Sequence, residues 1–216
     1  MSDAYDKSYD STAALFGTEP ESTLCRYCNK ISHELPVLDI GAGQGRNSCY
    51  LASRGFVVDA IDPSSVAVET IAAAAQKDDL PIRSVHCCYD TYVPTSLPYG
   101  AVLVFGLIQI LTHGQINILM SRVRQWTGDG SLLFVTAFSV EDPSYRYYAS
   151  HAKLLGQNSF QTDDGEVRTF LEPNEILRTC ADWQVVHHWE GQGPEHCHGE
   201  GTPERHAMIE LVARRR

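Results

Sequence analysis

The chain has no run of about 18 consecutive apolar residues, the length a helix needs to cross a bilayer, so no membrane-spanning helix is expected. Positive charge is also scarce. Lys and Arg number 17 against 27 Asp and Glu in 216 residues, a net charge of −10. Nucleic acid is held mainly by neutralising its phosphates. An acidic excess of this size argues against nucleic acid as a partner, and against an anionic membrane surface. The opening Met1-Ser2-Asp3 lacks the basic, apolar and small-residue regions of a secretory leader. A cytoplasmic location is the expectation. No internal repeat or low-complexity tract is present.

Cysteine is the residue type that first invites a site. Seven is an odd number, and reduced thiols are the expected state. Cys25 and Cys28 form a lone C-x-x-C with His33 close behind. Zinc would need further ligands at matching spacing, and two thiols one turn apart on a helix account for the pair equally well. No metal is assigned.

Short apolar runs alternate with longer helical patterns, the signature of an α/β domain. Strands are expected over residues 36–40, 56–61, 81–88, 101–106, 131–138, 183–189 and 206–213. Helices are expected over 46–54, from Ser64 or Ser65 to about 77, 113–126 and 172–181. Ser64 or Ser65 supplies a cap, and Gly128-Asp129-Gly130 reads as a turn before the fifth strand. The run 101–106 is apolar throughout, as in a strand buried on both faces. Residues 141–164 read as loop with one short helix. The expected fold is a single doubly wound, mostly parallel seven-stranded sheet, with helices between the first five strands and an antiparallel C-terminal hairpin. Its parts would be an N-terminal helical lid (1–30), a ligand-binding core (36–138), a substrate-side insertion (139–181) and the hairpin (182–216).

In such a sheet, ligands bind beyond the carboxyl ends of the strands at the switch point. The loop Gly41-Ala42-Gly43-Gln44-Gly45 lies there. Glycines let the backbone turn sharply and approach a ligand, and the amides that open the next helix favour an anionic group. Asp62 ends the second strand, where an acid can accept from both hydroxyls of an adenosine ribose, with Pro63 beside it. A dinucleotide site would use G-x-G-x-x-G. Here Arg46 stands where the third glycine belongs, and the spacing is G-x-G-x-G. Asp39, two residues before Gly41, suits a cationic ligand better than a pyrophosphate. S-adenosylmethionine, with its sulfonium and ammonium, is such a ligand.

The stretch Val37-Leu38-Asp39-Ile40-Gly41-Ala42-Gly43-Gln44-Gly45-Arg46-Asn47-Ser48 resembles the first motif of class I S-adenosylmethionine-dependent methyltransferases. With Tyr50-Leu51-Ala52 and Gly55-Phe56-Val57-Val58, it is similar to the tellurite-resistance type of small-molecule methyltransferase. The resemblance implies cofactor contacts from Asp39, Gly41, Ala42, Gly43, Gly45, Arg46, Asn47, Asp62 and Pro63. It further implies that Asp90 bonds the adenine amino group, that Cys88 and Tyr89 flank the ring, and that Phe105 to Leu107 run under the methionine part. Ile108 and Gln109 would face the methyl.

Candidates for the acceptor side are fewer. Tyr5 or Tyr9 could close over the methyl as part of the lid, or could simply be packed aromatics. His113, at a helix start, could serve as a base or be an ordinary polar residue there. Arg46 could steer an anionic acceptor, pair with an acid on the lid, or form a structural salt bridge. His187, His188, His196, Cys197, His198 and His206 form a late cluster. Strand alternation places His187 and His188 on opposite faces, and the loop between them and His206 would lie at the sheet edge, far from the methyl. Three functions stay open: methyl transfer to a small molecule (a metabolite, a thiol, or an oxyanion such as tellurite or selenite), a nicotinamide-dependent oxidoreductase, and a non-catalytic S-adenosylmethionine-binding protein. The protein would be a monomer or homodimer.

Overall fold

The computed structural model describes residues 2–12, 14–195 and 203–216. Helices α1 (Ser2–Ser11) and α2 (Ser22–Tyr27) precede the sheet. Then follow β1 (Val37–Ile40), α3 (Arg46–Ala52), β2 (Val58–Asp62), α4 (Ser65–Asp78), β3 (Ile82–His86), β4 (Tyr99–Val104), α5 (His113–Trp126) and β5 (Thr127–Phe138). The second half holds α6 (Tyr145–His151), β6 (Lys153–Gly156), β7 (Ser159–Gln161), β8 (Val167–Thr169), α7 (Glu175–Thr179), β9 (Trp183–Gln192) and β10 (Ala207–Arg215).

The main sheet has the order β3-β2-β1-β4-β5-β10-β9. The first five strands run parallel, while β10 is antiparallel to both β5 and β9. The chain order reverses between β1 and β4, so the switch point falls at the glycine loop. Burial explains the strands. Every residue of β1, β2 and β4 is buried, because helices cover both faces of a parallel sheet. Alternation sorts their side chains. Leu38, Ile40, Val102, Val104, Leu133 and Val135 pack with Ile116, Leu119, Met120 and Val123 of α5. Val37, Val58, Ala101, Leu103, Leu132 and Phe134 pack with Leu24, Leu51 and Phe56 on the other face. Ser64 caps α4 by accepting from Ala67 N at 3.2 Å.

Four expectations about the elements are corrected. No helix joins β3 to β4; residues 87–98 hold Pro94 and Pro98 and run as turns and bends. The turn expected at Gly128-Asp129-Gly130 is absorbed into β5, which begins at Thr127 and shifts its register against β4 there. The helix expected over 172–181 shortens to α7. The segment 141–164, expected as loop with a short helix, supplies α6 and most of an antiparallel three-stranded sheet, β6-β7-β8. Its strands have only three or four residues and β6 is exposed throughout, so alternation leaves no readable trace. No helix of the described residues is long and apolar enough to cross a membrane.

Candidate functional site

The loop after β1 keeps three glycines in the left-handed region, with φ of 69° at Gly41, 54° at Gly43 and 86° at Gly45. Gly45 is required twice over. Its backbone disfavours any side chain, and a Cβ there would sit 2.7 Å from Ile71 Cγ1. A Cβ on Gly43 would lie 3.2 Å from the Tyr9 hydroxyl. The turn carries the Gly43 amide to the end of β2, where it donates to Asp62 Oδ2 at 2.9 Å. Ser64 N donates to Asp62 Oδ1 at 2.8 Å. Burial pushes the Asp62 carboxyl up; the bonds from Ser64 and Gly43 oppose this, and the nearby Asp6 adds to the rise. Asp39 is more extreme. It is buried with Ser48 Oγ donating to its Oδ2 at 2.6 Å. Burial pushes it up to about 6, against the Ser48 bond and with the charge of Asp62 adding to the rise.

The residues after the loop hold the N-terminal segment over this site. Gln44 Oε1 accepts from Leu15 N at 2.9 Å, and Gln44 Nε2 donates to Thr12 O at 2.7 Å. Arg46 donates to Phe16 O at 2.9 Å and Glu19 O at 3.0 Å, and pairs with the Glu21 carboxylate. Asn47 Oδ1 accepts from Glu21 N at 2.9 Å. The pair of Arg46 with Glu21 joins it to an acid of the N-terminal segment and is at the same time a structural salt bridge. No local pattern in the sequence announces this role of Gln44, because its partners are distant main-chain groups.

These elements enclose a cavity of about 1280 Å³. Of the expected cofactor residues, Gly41, Ala42, Gly43, Gly45, Arg46, Asn47, Asp62, Pro63, Tyr89 and Leu107 line it, as does Tyr9. Asp39 does not; it is buried under the loop, bonded to Ser48. Asp90 is exposed and outside the lining, because a turn closed by Thr91 N and Tyr92 N on Cys88 O carries it outward. Cys87 and Cys88 line the cavity beside Tyr89.

His113 is not brought to the cavity, which corrects its candidacy as a base. Its Nδ1 bonds Ser159 Oγ at 3.0 Å and its Nε2 bonds Glu175 Oε1 at 2.9 Å, tying α5 to β7 and α7. The late histidines need a second correction. The flanks of their loop are not remote: Pro194, Glu204 and His206 line the cavity, with Thr136, Phe138, Ser144, Tyr148, Arg168 and Met208 around them. β10 is inserted between β5 and β9, and this carries the start of that strand to the open end of the sheet. His187 pairs with Glu210 at 3.1 Å and His188 with Glu190 at 3.0 Å. Among the described residues no three His, Cys, Asp or Glu side chains converge as a metal site. His196, Cys197 and His198, and the side chain of Tyr5, lie outside the described residues. Cys28 is buried with its thiol 3.7 Å from Cys25 O and from Tyr50 Oη, and His33 stacks on Phe56 at 3.9 Å.

The model of the family described as tellurite resistance protein TehB matches residues 3–197. TehB of Haemophilus influenzae strain Rd, described as a probable S-adenosyl-L-methionine-dependent methyltransferase, is 24% identical over 196 residues, covering 90% of this chain and 59% of that protein. A crystal structure of TehB from Haemophilus influenzae superposes with a TM-score of 0.71 at 20% identity, covering 100% of this chain and 67% of that one. A ubiquinone biosynthesis O-methyltransferase of Rickettsia typhi is 29% identical over 158 residues, 73% of this chain and 62% of that protein. Hemagglutinin 1 of Eikenella corrodens is 25% identical over 181 residues, 82% of this chain and 54% of that protein. The chain thus spans between about half and three fifths of the length of these curated relatives. The fold is that of S-adenosylmethionine-dependent methyltransferases, and the chain belongs to the family of the tellurite resistance protein TehB.

Proposed function

We propose that this protein transfers a methyl group from S-adenosylmethionine to a small-molecule acceptor. The observation that carries the proposal is Asp62. Its carboxylate ends β2 at the cavity wall, and each oxygen accepts one main-chain amide, from Gly43 and from Ser64. A carboxylate offers about four acceptor positions, so both oxygens keep capacity for the two ribose hydroxyls. Two further observations fit the rest of the cofactor. Gln109 Oε1, on a cavity-lining residue, is buried with no hydrogen-bond partner among the described residues, and a ligand ammonium would satisfy it. Asp39 and Asp62, both pushed up by burial, give this end the charge a cationic ligand relieves.

When bound, the cofactor supplies a methyl carbon activated by its sulfonium. The chain's task is then to orient, enclose and exclude water. The glycine loop, Ala42 and Leu107 form the wall for the methionine part, and Tyr89 with Cys87 and Cys88 the wall for the adenine. Tyr9, held over Gly43, closes the lid side together with Gln44 and Arg46. We assign lid, core, insertion and hairpin to residues 1–30, 36–138, 139–181 and 182–216. Acceptors compatible with this reading are a small metabolite, a thiol, and an oxyanion such as tellurite or selenite. Isothermal titration with S-adenosylhomocysteine and with NAD tests the reading. Stoichiometric binding of the first and none of the second is expected; the reverse overturns it.

A further inference from the structure

The cavity has room for more than a cofactor. Sites for one drug-sized ligand measure about 300–1,000 Å³, and this one measures about 1280 Å³. Its wall continues past the glycine loop and Tyr89 to Ile110, Leu111, Phe138 and Met208, side chains that suit an organic body. Two arginines line it among the described residues, and they are committed differently. Arg46 donates from Nη1 to Phe16 O and Glu19 O and pairs through Nη2 with Glu21, all in the N-terminal segment. Arg168, the middle residue of β8, donates from Nη1 to Val167 O at 3.1 Å and from Nη2 to Glu166 Oε2 at 3.1 Å. A guanidinium has five N–H donors, so Arg168 keeps three beyond these two bonds. Its side chain is only 23% exposed.

The fold sets Arg168 beside the place assigned to the cofactor. β8 pairs antiparallel with β7 and packs against residues 108–110. That segment follows Leu107 of the methionine wall, and its Gln109 carries the buried, unpartnered Oε1 assigned above to the ligand ammonium. Just beyond β8 the chain is tied to the main sheet, where Leu171 N donates to Phe138 O at 2.8 Å. Resting on the methyltransferase reading above, we propose that Arg168 anchors the acceptor, and that the acceptor is an organic acid whose carboxylate this guanidinium binds. The carboxylate is the handle, and a different atom of the acceptor receives the methyl.

Three features select this class. The planar fork of a guanidinium matches the two oxygens of a carboxylate. The size of the cavity and its apolar wall suit a carbon framework better than an inorganic oxyanion of a few atoms. The third feature is the charge around Arg168. Glu166 shares its guanidinium, and Glu204 and Glu210 line the same cavity, 3.7 Å from His206 and 3.1 Å from His187 respectively. One arginine among these acids balances a single negative charge better than the nearly double charge of a phosphate monoester.

The test is binding to protein saturated with S-adenosylhomocysteine, read by ligand-observed NMR titration. The probes are phenylacetate and hexanoate, each against its own carboxamide. A hydrogen bond between charged groups makes the acids bind about 10-fold tighter than the amides, or more. Arg168→Gln should erase that preference and Arg168→Lys should keep part of it, while both variants bind S-adenosylhomocysteine as the parent protein does. Amides that bind as well as the acids, no binding of any probe, or a preference that survives in Arg168→Gln overturns the proposal. Tighter binding of phenyl phosphate than of phenylacetate overturns the carboxylate class. Acids that bind the free protein and are displaced by S-adenosylhomocysteine overturn the acceptor assignment, since Arg168 would then hold the cofactor's own carboxylate. Each of these leaves the cofactor reading intact. Failure of the parent protein to bind S-adenosylhomocysteine overturns the cofactor reading, and this proposal with it.

Discussion

The buried carboxylates beside the glycine loop, Asp39 and Asp62, and the one in the turn after β5, Asp142, are satisfied in opposite ways. Asp142 has its acceptor positions filled by the chain itself, from His206, Ala207 and both donors of Ser144, and is held below the usual carboxylate range. Asp39 and Asp62 have fewer donors than their burial demands and are pushed up. An acid satisfied by its own chain serves to position a neighbour. An acid left short of donors belongs where a ligand completes the set. Asp62, which lines the cavity, is of the second kind, and Asp142, which does not, is of the first.

The largest effect is expected at Asp62. A hydrogen bond to a charged group is worth about 1.5–3 kcal/mol, so Asp62→Ala should weaken S-adenosylhomocysteine binding by about 100-fold or more in calorimetry. Unchanged affinity would remove Asp62 from the ligand. The next largest effect is structural. Gly45→Ala places a methyl 2.7 Å from Ile71 Cγ1 in a left-handed backbone, and should lower the denaturant-derived stability by roughly 2–3 kcal/mol. Pairing it with Ile71→Ala should give a double mutant more stable than the sum of the single effects predicts.

The acids themselves sharpen the contrast by pH. Asp39 rises from 3.8 to about 6 on folding, so the folded chain binds its proton more tightly than the unfolded one. Its contribution is fully present below about pH 4 and is lost as pH rises through about 6. Asp39→Asn should then be more stable than the parent at pH 7, by on the order of 1–3 kcal/mol, while binding cofactor less well. Asp142 runs the other way. Its folded value is lowered, so its contribution is present above the ordinary carboxylate range and lost as pH falls. Asp142→Asn should flatten the acid limb of the stability profile. Chemical denaturation at several pH values reads both slopes, and slopes of the same sign would end the comparison.

Smaller effects follow at the lid and at His113. Gln44→Ala removes the side chain bonded to Leu15 and Thr12. It should weaken S-adenosylhomocysteine binding by about 10-fold and speed limited proteolysis within residues 9–21. His113→Gln should change turnover by less than about three-fold and stability by about 1 kcal/mol, because its ring bonds Ser159 and Glu175 outside the cavity. A hundred-fold loss of turnover there would return His113 to the chemistry.

The cofactor end was legible because it is nearly contiguous. Gly43 and Asp62 are only 19 residues apart, and one strand–loop–helix–strand unit fixes their meeting. The environment of Asp142 was not legible. Asp142 and His206 are 64 residues apart, and their meeting depends on β10 entering between β5 and β9. His113 and His206 look alike in the sequence, since each stands at the start of an expected element, a helix and a strand. Only the fold turns one towards two structural partners and the other towards the cavity. The strands β6 to β8 were missed for a related reason: each is too short for its period to show, and pairing with its neighbours is what makes it a strand.

By itself, the sequence determined the α/β class, the switch point, the glycine turn, and the acid at the end of β2. These follow from local backbone freedom and short-range periodicity. The tertiary structure alone decided which histidine faces the cavity, which acid is satisfied within the chain, and which side chains hold the N-terminal segment. Each of those depends on groups brought together across tens of residues, and their geometry exists only once the sheet has closed its order.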